Sequence, residues 1–286
     1  MPSYKTHFIH GELMFPIIDK RIDISLDEFK TYCIGPDALL PTQYSLFERQ
    51  HHELVSMYFL TLLNLIKSSK LQDNSSVLSF LYAQLDHYVL DLTTHPLIYY
   101  YTEGLNSNCL IPSHGIIEHW LDDYIINKYQ IKQEDLFAFH NKNVELSDLI
   151  NQLYSLVYGK NNISSKYDIG YSIMYLYDSV IRKDEMFQKI FPIGEVAYSS
   201  NFLRIIPFLN NNHNMWKHPI TGEVFNISFD DLWAKSILLS KEMIEDVNHY
   251  LYDDKKLDNY YLLNDISYNT GLPCSKGENF QFIKKY

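Results

Sequence analysis

The sequence predicts an all-α fold, a multi-helix bundle, on three observations. Apolar residues recur at three- and four-residue steps through most of the chain, which is helical rather than strand periodicity. No repeat, low-complexity tract or Pro/Gly/Ser-rich linker divides it, so a single domain is expected over residues 1–286. With 286 residues, 46% of them apolar, there is enough material to bury one large core.

The elements follow in order. A long helix is expected from Ser45 to Ser68, with Leu54, Val55, Tyr58, Phe59, Leu62, Leu63 and Ile66 on one apolar face. Asn74 or Ser75 caps a second helix running to about Thr93, and Pro96 ends it, because the residue before a proline is pushed out of the α region. Ser113 caps a third helix through about Lys128, and further helices fit 145–158, 166–182 and 229–252. The stretch from Asn210 to Ile227 reads as a loop.

Composition narrows the function. Apolar runs such as Tyr58 to Ile66 fall short of the roughly 20 residues that a membrane-spanning helix needs. No basic segment followed by an apolar run opens the chain, so a cytoplasmic protein without a transmembrane segment is expected. Cys33, Cys109 and Cys274 are widely spaced, giving neither a disulfide framework nor a CxxC knuckle. A formal net charge of −11 makes nucleic acid an unfavoured partner, since such binders need basic surface to displace counterions.

The chemistry is concentrated in the histidines. Eight of the 12 (His7, His10, His51, His52, His87, His95, His114, His119) precede residue 120. On the second helix, His87 and Asp91 are one turn apart and share a face, with His95 one turn further. His114 and Glu118 repeat that spacing on the third helix, giving a second chelating face. A lone pair of this kind is ordinarily a solvated helix face. Here Leu81, Leu85, Val89 and Leu90 surround the trio, which points the polar groups into protein, where charge needs a partner or a metal. Mixed imidazole and carboxylate donors suit zinc, whereas magnesium and calcium prefer oxygen.

The ordered set resembles the zinc-dependent phospholipase C family, in a superfamily shared with zinc-dependent single-strand nucleases. The resemblance is carried by Thr6-His7-Phe8, by Gly35-Pro36-Asp37, by His51 with Tyr58-Phe59, by His87, Asp91 and His95-Pro96 followed by Ile98-Tyr99-Tyr100, and by His114, Glu118 and Asp122. A later stretch, from His213 through Trp216, His218-Pro219 and Thr221-Gly222 to Ser228-Phe229 and Leu232, looks like the loop and helix of cytosolic bacterial members, for a coverage of about 4–245.

The resemblance implies two to three zinc ions. Asp37, His51 and His87 would hold the first, with Asp91 bridging from it to another; His95, His114 and Glu118 would hold the second; His7 and Asp91 would hold the third. In secreted relatives an N-terminal tryptophan completes that third site; this chain has none, and Pro2 is the terminus expected after methionine removal. His52 and His10 are the alternatives to His51 and His7; the fourteen-residue step from Asp37 favours His51. His119 is expected at the surface or behind a ligand, Asp122 at a metal-bound imidazole, in a cap or exposed, and His213 and His218 on the substrate side.

A cluster of this kind makes a metal-bridging hydroxide that can attack phosphorus in line, with Asp37 orienting or deprotonating the water. The expected partner is a phosphate ester, either a phospholipid or a small phosphodiester. The rival readings are a zinc nuclease on the same scaffold, stacking bases on Tyr99, Tyr100 or Trp216, and a non-catalytic zinc-stabilised binding protein.

Overall fold

The computed structural model describes residues 4–102, 113–131, 143–176 and 215–283. Among them the fold is all-α, with helices α1 (Tyr4–Met14), α2 (Leu26–Tyr32), α3 (Tyr44–His52), α4 (Val55–Ser68), α5 (Ser75–Thr102), α6 (Ser113–Tyr129), α7 (Val144–Tyr158), α8 (Ile163–Leu176), α9 (Phe229–Tyr252) and α10 (Tyr260–Leu263). A 3-10 turn, Gly35–Leu39, links α2 to α3.

Helix α5 is the axis. Its 28 residues span about 42 Å at 1.5 Å per residue, and all but a few are buried. Helices α1, α2, α6 and α9 pack around it. Two apolar clusters meet along it, one with Leu78, Leu81, Leu85, Val89 and Leu92, the other with Leu90, Leu97, Ile98 and Tyr101. Polar residues 87, 91 and 95 occupy the stretch where one cluster gives way to the other. No described helix is long and apolar enough to cross a membrane.

Sequence and structure diverge at two helix boundaries, each for a physical reason. Pro96 does not end the second helix, which continues to Thr102. The lost donor strands the carbonyl of Leu92, and Gly271, at φ +63°, lies so close to that oxygen that a Cβ would sit 2.8 Å from it. Burial of Leu97, Ile98 and Tyr101 beyond the proline holds the last turns in place. The expected helix 45–68 is instead two helices, broken where Glu53 is extended and Leu54 is left-handed at φ 58°. The new N-terminus is capped from far along the chain: Ser56 N–H donates to Asp265 Oδ1 at 3.0 Å, and Asp265 N–H donates back to Ser56 Oγ at 2.5 Å.

Elsewhere the local signals hold. Asn74 Oδ1 accepts from Val77 N–H at 3.1 Å, Asn143 caps α7, and Ser228 with Asp231 forms a capping box for α9. Helices α1 and α2 were not anticipated. Within the expected loop, Trp216–Lys217 pairs antiparallel with Val224–Phe225. Cys33 and Cys274 are free thiols. Cys109, His213, residues 177–182 and 210–214 of the expected helix and loop, and the side chains of Ser113 and His119 lie outside the described set.

Candidate metal centre

Three elements, α1, α3 and α5, meet at one carboxylate. Asp91 Oδ2 lies 3.0 Å from His87 Nε2 and 3.6 Å from His51 Nε2; its Oδ1 lies 3.2 Å from His7 Nε2 and 3.4 Å from His95 Nε2. Asp37, on the 3-10 turn, presents Oδ1 to His51 Nε2 at 3.3 Å and to His87 Nε2 at 3.9 Å. Across the bundle, Glu118 Oε1 of α6 meets His114 Nε2 at 2.9 Å and His95 Nε2 at 3.2 Å. Three groups are thus compact enough to share an ion: His7, His87 and Asp91; Asp37, His51 and His87; His95, His114 and Glu118.

The donor set fits zinc. Ligands about 2.0–2.1 Å from a tetrahedral ion stand roughly 3.3 Å from one another, within the spread of these separations. The tautomers point the same way. His51 Nδ1 is 2.7 Å from the carbonyl of Phe47, and His87 Nδ1 is 3.0 Å from that of Cys33; a carbonyl only accepts, so both Nδ1 atoms donate. In the neutral ring each Nε2 therefore turns a lone pair toward carboxylate oxygens, a contact that a cation or a second proton reconciles. Among the described residues, both Asp37 oxygens, His87 Nε2 and Glu118 Oε2 are buried without a hydrogen bond. Every ion-pair partner described within 4.0 Å of Asp37, Asp91 or Glu118 is a histidine, so no lysine or arginine neutralises them.

The electrostatics reflect that crowding of negative charge. Burial pulls the His51 imidazole down, but the Asp37 and Asp91 carboxylates beside it outweigh that and push it up to about 10. His95 opposes burial in the same way beside Asp91 and Glu118 and rises to about 9, and His87 is also raised. His7, penalised by burial and by His87 stacked 4.0 Å away, is lowered. Burial pushes the Asp91 and Glu118 carboxyls upward, yet the surrounding histidines hold both well below the usual carboxylate range.

Local structure explains how each side chain arrives. One turn separates 87, 91 and 95 on α5 and again 114 and 118 on α6, so helix geometry alone aligns them. Gly35, at φ +59°, lets the turn pass over the His87 ring; a Cβ there would fall 2.3 Å from Cγ. Thr6 donates both its N–H and its hydroxyl to Asp122 Oδ1, at 2.7 and 2.8 Å, which pins α1 one residue before His7. Of the roles expected from sequence for Asp122, these bonds give it a capping one, at the start of α1.

The doublets separate cleanly. His10 is fully buried away from the cluster, with Nδ1 3.0 Å from Asp86 Oδ2 and Nε2 2.8 Å from Ser236 Oγ. His52 is partly exposed at the rim. His218 is not placed for substrate: its Nε2 donates to the Thr270 carbonyl and its Nδ1 accepts from Ile220 and Thr221 N–H, closing the hairpin turn.

A cavity of about 460 Å³ opens on the cluster, lined by Asp37, His51, His95, His114 and Glu118 together with Tyr44, Phe47, Glu48 and Tyr99. Asn269 and Glu278 line it too, from a segment near the C-terminus that carries no recognisable motif. That segment is tied down by Tyr268 N–H to the His51 carbonyl at 2.9 Å and by Phe280 stacked on Tyr99 at 4.4 Å. Its only sequence signal is a cluster of aromatic and turn-forming residues, which carries no register.

Neither curated proteins nor solved structures yield a match to the chain. The family model for zinc-dependent phospholipase C matches residues 6–163, more than half of the chain and all eight of the clustered residues, and the chain belongs to the zinc-dependent phospholipase C family, whose members are zinc-dependent phospholipid hydrolases.

Proposed function

We propose that this chain is a phosphodiesterase of the phospholipase C type, holding two to three zinc ions on His7, Asp37, His51, His87, Asp91, His95, His114 and Glu118. The observation that carries this reading is Asp91 itself, whose two oxygens face four imidazole Nε2 atoms with no lysine or arginine among them. Zinc bound there supplies a water acidified toward neutrality and positive charge against a phosphoryl group. Asp37 is the proposed proton acceptor, since it is a buried carboxylate that lines the cavity beside His51. Asp91 joins the groups, and His95, His114 and Glu118 orient the far side of the phosphate ester.

The substrate proposed is a phospholipid or small phosphodiester. Glu48 and Glu278 on the cavity disfavour a polyanion, which sets the nuclease reading aside, and an open cavity over the cluster disfavours a purely structural metal site. The free thiols of Cys33 and Cys274 fit a cytoplasmic setting. The test is metal analysis of protein purified without chelators, paired with hydrolysis of chromogenic phosphomonoesters, phosphodiesters and phosphocholine. Two or more zinc equivalents with diesterase activity are expected. Less than one equivalent ends the proposal.

A further inference from the structure

Asp37 is held in an unusual way. Its described ion-pair partners are His51 and His87, whose Nε2 atoms lie 3.3 and 3.9 Å from Oδ1, and Oδ2 makes no described hydrogen bond, so the side chain is placed largely by the backbone of Gly35–Leu39. That turn is gripped by α8. Gly170 of α8 lies so close to it that a Cβ would meet the Ala38 carbonyl oxygen at 1.6 Å, and the Tyr167 hydroxyl donates to the Gly35 carbonyl. Tyr167 can spend its single proton there because it accepts from Gln84 Nε2 at 2.9 Å. Gln84 Oε1 in turn accepts from the Tyr58 hydroxyl at 3.1 Å. The hydrogen bonds thus run in one direction, Tyr58 to Gln84 to Tyr167 to Gly35, and end two residues before Asp37.

Such a chain is hard to justify by stability. Tyr58 and Gln84 are fully buried and Tyr167 nearly so, and a buried hydrogen bond adds only about 0.5–1.5 kcal/mol net. A buried polar network that is fully paired fixes geometry, and the geometry fixed here is that of the Asp37 turn. Helix α8 begins at Ile163, where the match to the family ends, so this grip lies almost wholly outside the matched region.

We propose that Tyr167 is a positioning residue for Asp37, setting the distance of its carboxylate from His51 and His87 through the Gly35 carbonyl. The inference rests on the metal centre proposed above. The test compares wild type, Tyr167→Phe and Tyr82→Phe; Tyr82 is a buried tyrosine of α5 whose hydroxyl bonds Asn248 of α9, so its variant also loses a buried hydrogen bond. Zinc affinity is measured by competition with a chromogenic chelator, and melting is followed on chelator-treated protein. Partners behind metal ligands typically change affinity 10- to 100-fold. Tyr167→Phe is therefore expected to weaken one zinc equivalent by about tenfold and leave the others unchanged, while Tyr82→Phe lowers the melting temperature alone. If wild type binds zinc and Tyr167→Phe binds it equally well, the positioning role is overturned and the metal centre stands. If wild type binds none, both fall. Should Tyr167→Phe not fold, Gln84→Met, which removes the donor to Tyr167, carries the same comparison.

Discussion

His87 donates its Nδ1 proton to the Cys33 carbonyl at 3.0 Å, and that bond turns its Nε2 lone pair onto Asp91 Oδ2, also 3.0 Å away. Two lone pairs cannot share a proton that neither carries. The arrangement is stable with a cation between them or with the imidazole protonated, and the predictions below follow from that alternative.

Asp91 is expected to be the least replaceable residue. Its Oδ1 faces His7 and His95 and its Oδ2 faces His51 and His87, so Asp91→Asn removes charge from more than one ion at once. His95→Ala is expected to lose about one zinc equivalent, since each other ligand serves chiefly one ion. Zinc per chain in the two variants decides it. Full occupancy in Asp91→Asn with complete loss in His95→Ala would show that Asp91 is no bridge. Residual hydrolysis should likewise be lower in Asp91→Asn.

The protein without metal should respond to pH in the opposite sense to the zinc-bound protein. His51 and His95 rise from 6.5 to about 10 and about 9 in the folded state. A folded value above the unfolded one means that their contribution is complete below pH 6.5 and disappears as pH climbs through 9 to 10. Zinc displaces those protons, so its stabilisation grows over the same window. Melting curves at several pH values, with chelator and with excess zinc, should diverge as pH rises. Parallel curves would mean that these histidines do not meet a metal.

Gly35 and Gly159 both adopt positive φ, +59° and +66°, yet they should respond differently to alanine. Nothing lies within 4 Å of a Cβ at Gly159, so Gly159→Ala carries only the backbone cost, about 1–2 kcal/mol. A Cβ at Gly35 strikes the His87 ring at 2.3 Å, so Gly35→Ala adds displacement of a ligand. Denaturant unfolding should show the larger loss in Gly35→Ala, and zinc content should fall in that variant alone. Equal zinc content in the two would separate the Gly35 turn from the metal centre.

What the sequence discloses about this site follows the range of the forces involved. The spacings 87, 91, 95 and 114, 118 are legible because an α-helix converts four residues into one face whatever surrounds it. Asp37, His51 and His7 sit on three other elements, and only the family resemblance joins them to the first set. The break at Leu54 has no glycine or proline to announce it; Asp265, some 200 residues on, creates it by capping α4. Pro96 gave the right local rule and the wrong boundary, because burial of Leu97 and Ile98 outweighs one missing donor. Asn269, Glu278 and Phe280 were invisible for the same reason, their placement being wholly tertiary.

That last segment makes its own prediction. Phe280 stacks on Tyr99 with ring centroids 4.4 Å apart and planes 17° apart, and Tyr99 in turn lies 4.4 Å from the His114 ring. Glu278 is fixed on the cavity by Asn269 Nδ2 at 2.8 Å. Phe280, Tyr99, Glu278 and Asn269 lie outside the three metal-holding sets, so the segment should shape the cavity without holding ions. An aromatic pair is worth about 0.5–1.5 kcal/mol beyond its buried area, which corresponds to a change of roughly two- to tenfold. Phe280→Ala is therefore expected to raise KM for a phosphodiester several-fold while kcat and zinc content stay near wild type. A fall in zinc content would mean that Phe280 supports His114 through Tyr99, making the segment part of the metal centre. Unchanged KM and kcat would mean that substrate never reaches this side of the cavity.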